Sequence, residues 1–185
     1  MYTLFREASN LTIQPLNANI YLYFLERSVN KAIIQHKRIQ HDKLNHGGST
    51  PIQSQDTSTI LLADIHYYLV NWTEFFRYYL SINELQPMFL LAPEQIDLFK
   101  NHKAARNFIE HRNERIKPNN NLGTFHSDVF VYDGKSIKVD KSDLDNLKKS
   151  YLRILKTALD NFECYRHRDF YQISITHLGY PWMEL

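Results

Sequence analysis

Between about residues 59 and 82 the chain places Leu61, Ile65, Tyr68, Leu69, Trp72, Phe76 and Tyr79 three or four positions apart. At 3.6 residues per turn this spacing keeps them in one continuous stripe along a helix. So much aromatic and aliphatic surface has to be covered by other elements, so the stripe reads as core and not as a cofactor or base-stacking platform. Tyr67, Asn71, Glu74 and Tyr78 fall on its other side. Two more stretches carry the same period. Leu22, Leu25, Val29, Ala32 and Ile33 line a helix expected from about 18 to 44, capped by Asn17 or Asn19, with Glu26, Asn30 and Lys37 opposite. Leu144, Leu147, Tyr151, Ile154, Ala158 and Phe162 line another from about 142 to 163, with Ser142 as its cap and Asp145 three residues on.

A third long helix is expected to begin at Pro93, whose missing N–H costs nothing in the first turn and where Glu94 suits the positive end of the helix. It should run to about Lys117, because Pro118 disfavours helical geometry in the residue before it. Val129-Phe-Val-Tyr-Asp133-Gly134-Lys-Ser-Ile-Lys-Val139 alternates around an Asp-Gly pair, the pattern of a hairpin with a two-residue turn. That turn sets Phe130 opposite Ile137, with Tyr132 and Val139 on the same face. The fold class follows: mainly α, a bundle-like domain of four long helices, with one β-hairpin (about 128–139) inserted between the third and fourth.

Composition agrees with helices. Twelve Tyr and eleven Phe against only five Gly suit packed helices better than a turn-rich sheet. At 185 residues the chain is read as one domain, 1–185, with a flexible polar loop at about 45–58 that holds Gly47-Gly48 and Pro51. The formal net charge of +2 gives no overall basic field, so any nucleic-acid contact must be local. The lone Cys164 has no intrachain partner, which fits a reducing compartment. No run of 18 apolar residues and no basic-then-apolar leader is present, so a soluble cytoplasmic protein without membrane contact is expected. His36, His41 and His46 recur every five residues, about 140° apart on a helix, and do not share a face as metal ligands would. Neither a metal nor a cofactor is expected. The basic outer face of the last helix (Lys148, Lys149, Arg153, Lys156) reads as solvated, and the tail Tyr165–Tyr171 interleaves bases with aromatics.

The chemically able side chains concentrate in the third helix. With Ala105 as reference, Leu98, Phe108, Ile109 and Ile116 form the core stripe. Arg106 lies about 100° away, Glu110 about 140°, Glu114 about 180°, Asn107 about 200° and His111 about 240°. Arg115 follows in the same stretch, and Ile96 and Phe99 are expected to project into the polar sector beside it. This helix therefore has two contact surfaces.

Arg106-Asn107, three residues, then His111 resembles the motif of the HEPN superfamily (higher eukaryotes and prokaryotes nucleotide-binding). The resemblance covers this helix, with the four-helix pattern compatible with it. It implies an all-helical, usually dimeric fold and, in many members, a metal-independent endoribonuclease of toxin–antitoxin or anti-phage systems. Carried onto this sequence, Arg106 and His111 match the catalytic pair and Asn107 the supporting polar residue; Glu110, a departure from the motif, lies with Glu114 and Arg115 on the same polar face by helix geometry.

The chemistry suits those residue types. RNA cleavage by its own 2′-OH requires a group that moves a proton near neutrality, which imidazole does, and a cation for the phosphate, for which guanidinium offers a matched fork of donors. One pair is a thin site; two pairs across a two-fold axis make a fuller one. The leading expectation is a homodimeric endoribonuclease with a possible antitoxin partner. A non-catalytic nucleotide- or RNA-binding relative stays open, because Glu110 would repel a phosphate. So does a helical protein-interaction module, in which Arg106–Glu110 and Asn107–His111 are ordinary i,i+4 surface pairs.

Overall fold

The structure, a computed structural model, describes residues 16–45, 55–85, 87–111 and 124–161. It is mainly helical: α1 (Leu16–Asn45), α2 (Gln55–Leu85), α3 (Pro93–Glu110), then strands β1 (Thr124–His126), β2 (Val129–Tyr132) and β3 (Lys135–Lys138), and finally α4 (Lys141–Asn161). The four helices and the hairpin between the third and fourth are as expected. None of the helices among the described residues is long and apolar enough to cross a membrane.

α2 is the spine. Leu61, Ile65, Tyr68, Leu69, Trp72 and Tyr79 are all buried in one core with Leu22, Leu25, Val29 and Ala32 of α1 and Leu147, Tyr151 and Ile154 of α4. α1 and α2 run antiparallel: Phe24 stacks on Tyr78 with ring centroids 4.8 Å apart, Lys31 meets Glu74 at 3.6 Å, and Arg38 meets Asp64 at 3.2 Å. α1 begins at Leu16, which places Asn17 and Asn19 within the helix.

The hairpin register is as expected, with Phe130 opposite Ile137 and Tyr132 opposite Lys135. Asp133 and Gly134 both take positive φ (46° and 70°), as a two-residue turn that follows the twist of its strands demands. A third strand was not anticipated. β1 pairs antiparallel with β2 through a second tight turn, Ser127-Asp128, with φ of 48° and 66°. Three residues and a turn without Gly give little sequence signal. The inner face of the sheet, with Phe130, Tyr132 and Ile137, is buried, and Tyr132 packs on Phe108 of α3 and donates to the Asn101 carbonyl at 3.2 Å. On the other side, Asp128 accepts from Gln40 and Lys43 of α1. The sheet thus straps α1 to α3.

Two further expected features differ. The cap of α4 is Asp140, whose Oδ1 accepts from the Asp143 N–H at 2.7 Å, and not Ser142, which already lies within the helix. On α1, Glu26 and Asn30 are buried and not on an outer face. One apolar stripe predicts a single covered side for α1, whereas both α2 and α4 pack against it.

Glu26 has no exposed surface, and neither carboxyl oxygen has a hydrogen-bond partner among the described residues. Burial pushes its pKa from 4.5 up to about 7. A carboxyl whose folded pKa is raised binds more protons folded than unfolded, so it costs nothing below the unfolded value and weakens the fold as pH rises toward the folded one. Denaturant unfolding should therefore show stability falling between pH 4.5 and about 7. The Glu26→Gln variant should lose on the order of 1–3 kcal/mol of that decline. Parallel curves for the two proteins would contradict it.

Candidate active site

α3 ends earlier than expected. Its last helical residue is Glu110, and His111 takes the cap position at φ −91°, ψ 15°, its N–H donating to the Asn107 carbonyl at 3.0 Å. At the other end Pro93 occupies the first turn as expected, and Gln95 accepts from the Ala92 N–H at 3.1 Å while donating to Ser150 of α4 at 3.0 Å. Glu114 and Arg115 lie outside the described residues.

The four described site residues divide by depth. Arg106 and Asn107 are half-buried, while Glu110 and His111 are exposed. Arg106 Nη2 lies 2.7 Å from Glu110 Oε1, and its Nη1 donates to Asn107 Oδ1 at 3.1 Å. Its Nε is buried and has no hydrogen-bond partner among the described residues. Three of the four named side chains therefore form one connected group, a guanidinium held between an amide and a carboxylate. His111 follows directly in the chain, at the helix end.

A residue that the sequence reading did not single out joins this group. His66 of α2 places Nε2 3.3 Å from the same Glu110 Oε1. α2 and α3 run antiparallel, so His66, in the first half of one, meets the end of the other. Sequence spacing alone carries no sign of a pairing across 44 residues. The face of α2 beside it also presents Tyr67, 55% exposed and 5.8 Å from His66 between ring centroids.

Ile96 and Phe99 do not flank the polar sector. Phe99 is 1% exposed and stacks on Phe75 and Phe76 at 5.3 and 5.2 Å, and Ile96 packs against the same core. The physical reason is that α2 and the strap cover more than a narrow stripe of α3, so the buried arc extends from Phe108 through Ala105 to Phe99.

Within that arc sits a second polar group. His102, about 60° from Ala105 on the helix, is 1% exposed. Its Nδ1 lies 2.7 Å from the Leu98 carbonyl, its Nε2 lies 2.9 Å from Asp143 Oδ2, and its ring stacks on Trp72 at 3.9 Å. Tyr68 donates to the same Asp143 oxygen at 2.9 Å. A carbonyl can only accept, so Nδ1 carries a hydrogen, and Nε2 and Asp143 share one proton between them. Burial, with the Asp143 charge, pushes the Tyr68 phenol well above its ordinary range and keeps it a donor. The signal available in sequence was a histidine inside a core stripe; its partner, 41 residues on, was not legible.

Compared with known proteins, the chain matches no family model, no curated protein and no solved structure.

The two groups should respond differently to truncation. Arg106→Ala removes a half-exposed i,i+4 pair and should change unfolding free energy by less than about 1 kcal/mol. Asp143→Ala strips a buried imidazole and a buried phenol of their shared acceptor and should cost about 3–5 kcal/mol. Urea unfolding of both variants tests this ordering, and equal losses would refute it.

Proposed function

We propose that the chain is a HEPN-like, metal-independent endoribonuclease that cleaves RNA through the 2′-OH, with Arg106 binding the phosphate, His111 transferring a proton and Asn107 holding Arg106 in position. The observation that carries this reading is the gathering of Arg106, Asn107 and Glu110 with His66 of a second helix at one half-exposed edge. A surface that cleaves RNA without a metal needs a fixed cation and proton-transfer groups within reach of one phosphate, and these are the residue types assembled. Tyr67 adds an exposed ring face beside them, of the kind on which a nucleobase stacks. On this reading two copies pair about a two-fold axis through the ends of α3, each adding a set of groups to a shared cleft. A cytoplasmic toxin or defence role, with an antitoxin protein covering that cleft, follows from the resemblance of the Arg-Asn-x-x-x-His motif.

A second reading, a non-catalytic RNA- or nucleotide-binding relative, is favoured by the Glu110 carboxylate that already occupies Arg106 at 2.7 Å. The two separate on activity. His111→Ala should lower RNA cleavage by about 100-fold or more, with an unchanged unfolding curve. If the wild-type protein binds RNA in a strongly salt-dependent way but leaves it intact, the binding reading replaces the catalytic one. With neither cleavage nor binding, a helical protein-interaction module remains.

A further inference from the structure

The ribonuclease reading assigns one proton-transfer group, and cleavage by the 2′-OH requires two: a base for the nucleophile and an acid for the leaving oxygen. We infer that His66 is the base, held in the competent tautomer by Glu110. This rests on that reading and extends it to a residue outside the Arg-Asn-x-x-x-His motif.

The geometry is that of a carboxylate-oriented imidazole. Glu110 Oε1 is 3.3 Å from His66 Nε2, and the same oxygen is anchored by Arg106 at 2.7 Å. An ionised carboxylate only accepts, so Nε2 carries the hydrogen and the lone pair of the neutral ring sits on Nδ1. The side chain is 26% exposed. Glu110 is then a positioning residue: it fixes the ring, sets its tautomer and balances the charge that the ring gains, as the carboxylate of a nucleophile–His–carboxylate triad does. The carboxylate that set this chain apart from a plain Arg/His pair gains a purpose.

The step balances without a co-reactant. His66 Nδ1 takes the proton of the 2′-OH, and the oxygen attacks phosphorus. The bond from phosphorus to the 5′-oxygen breaks, and His111 supplies the proton that this oxygen needs. The products are a 2′,3′-cyclic phosphate and a 5′-hydroxyl. The two imidazoles then exchange protons with water and return to their starting states. Arg106 remains positive throughout and faces the charge that builds on the phosphoryl oxygens.

A leaving-group substitution distinguishes base from acid. In an RNA whose scissile 5′-oxygen is replaced by sulfur, the leaving thiolate departs without protonation, so loss of the acid is masked and loss of the base is not. With the full-length protein, His66→Ala should lower kcat by about 100-fold or more on both the ordinary and the 5′-thio RNA. His111→Ala should be impaired on the ordinary RNA and restored to within about tenfold of wild type on the 5′-thio RNA. The acidic limb of the wild-type kcat/KM profile should vanish in His66→Ala. Glu110→Gln, whose amide can donate to Nε2 and so move the hydrogen to Nδ1, should lower kcat more than it raises KM. Restoration of His66→Ala by the thio substrate would make His66 the acid and overturn the assignment. Wild-type rates in His66→Ala on both substrates would reduce the His66–Glu110 contact to a surface pair. If the wild-type protein cleaves neither RNA, the ribonuclease reading itself fails and takes this assignment with it.

Discussion

The arrangement depends on the buried contact among His102, Asp143 and Tyr68. Asp143 in the first turn of α4 receives an imidazole from α3 and a phenol from α2, so one carboxylate oxygen ties three helices together. Such a group is a poor source of net stability, because removing it from water costs about as much as its contacts return. What it supplies is uniqueness. A slip of α3 by one residue, or a rotation about its axis, would leave a charge and two donors in the core unsatisfied, at several kcal/mol. Trp72 stacked on the imidazole face closes the remaining freedom of the ring.

That constraint reaches the surface through the geometry of α3. Leu98, His102, Arg106 and Glu110 are spaced four apart and form one ridge, drifting about 40° per step. The ridge begins with a carbonyl bonded to His102 and passes through the buried pair. It emerges about 6 Å later at Arg106 and again at Glu110. Fixing His102 therefore fixes where the guanidinium and the carboxylate come out, and on which side of α2. His66 can meet Glu110 because α2 and α3 are already locked in register two turns below, where Trp72 covers His102. The strap adds a second hold: Tyr132 bonds the Asn101 carbonyl next to the buried imidazole, while Asp128 anchors the other end of the sheet on α1.

The fold was legible in the sequence to the extent that it is written in short-range periods. The helices follow from stripes at three- and four-residue spacing, and the hairpin register follows from Asp133-Gly134, because both signals act between near neighbours. The pattern misleads where coverage from a second side decides burial. A single stripe per helix predicts Glu26 and Phe99 to face outward, whereas α1 and α3 are each packed from more than one direction. Asp140 and Ser142 are both competent caps by residue type, and only the backbone shows which one precedes the first turn. Of the site, the i,i+4 contact between Arg106 and Glu110 could be read from spacing. His66 and Asp143 could not, since their partners lie 44 and 41 residues away and no local rule reaches that far.

Glu110 decides what the surface group can be. A guanidinium with no carboxylate beside it would present all five donors to any passing anion, and would bind phosphate loosely and without orientation. Here two of its nitrogens are engaged by Glu110 and Asn107, while Nε stays buried, so the fork is held in one plane before any ligand arrives. Preorganisation of that kind removes an entropic cost from the bound state, but it sets a phosphate against a negative neighbour. The conflict is least when the carboxylate's charge is spread over two cationic or donating partners, and His66 is the second one. On the ribonuclease reading proposed above, an imidazole that gained a proton would balance the carboxylate better, and its repulsion of a phosphate would fall as negative charge builds there. An Arg–Glu pair alone lacks that compensation; an Arg–Glu–His group would supply it when the proton moves.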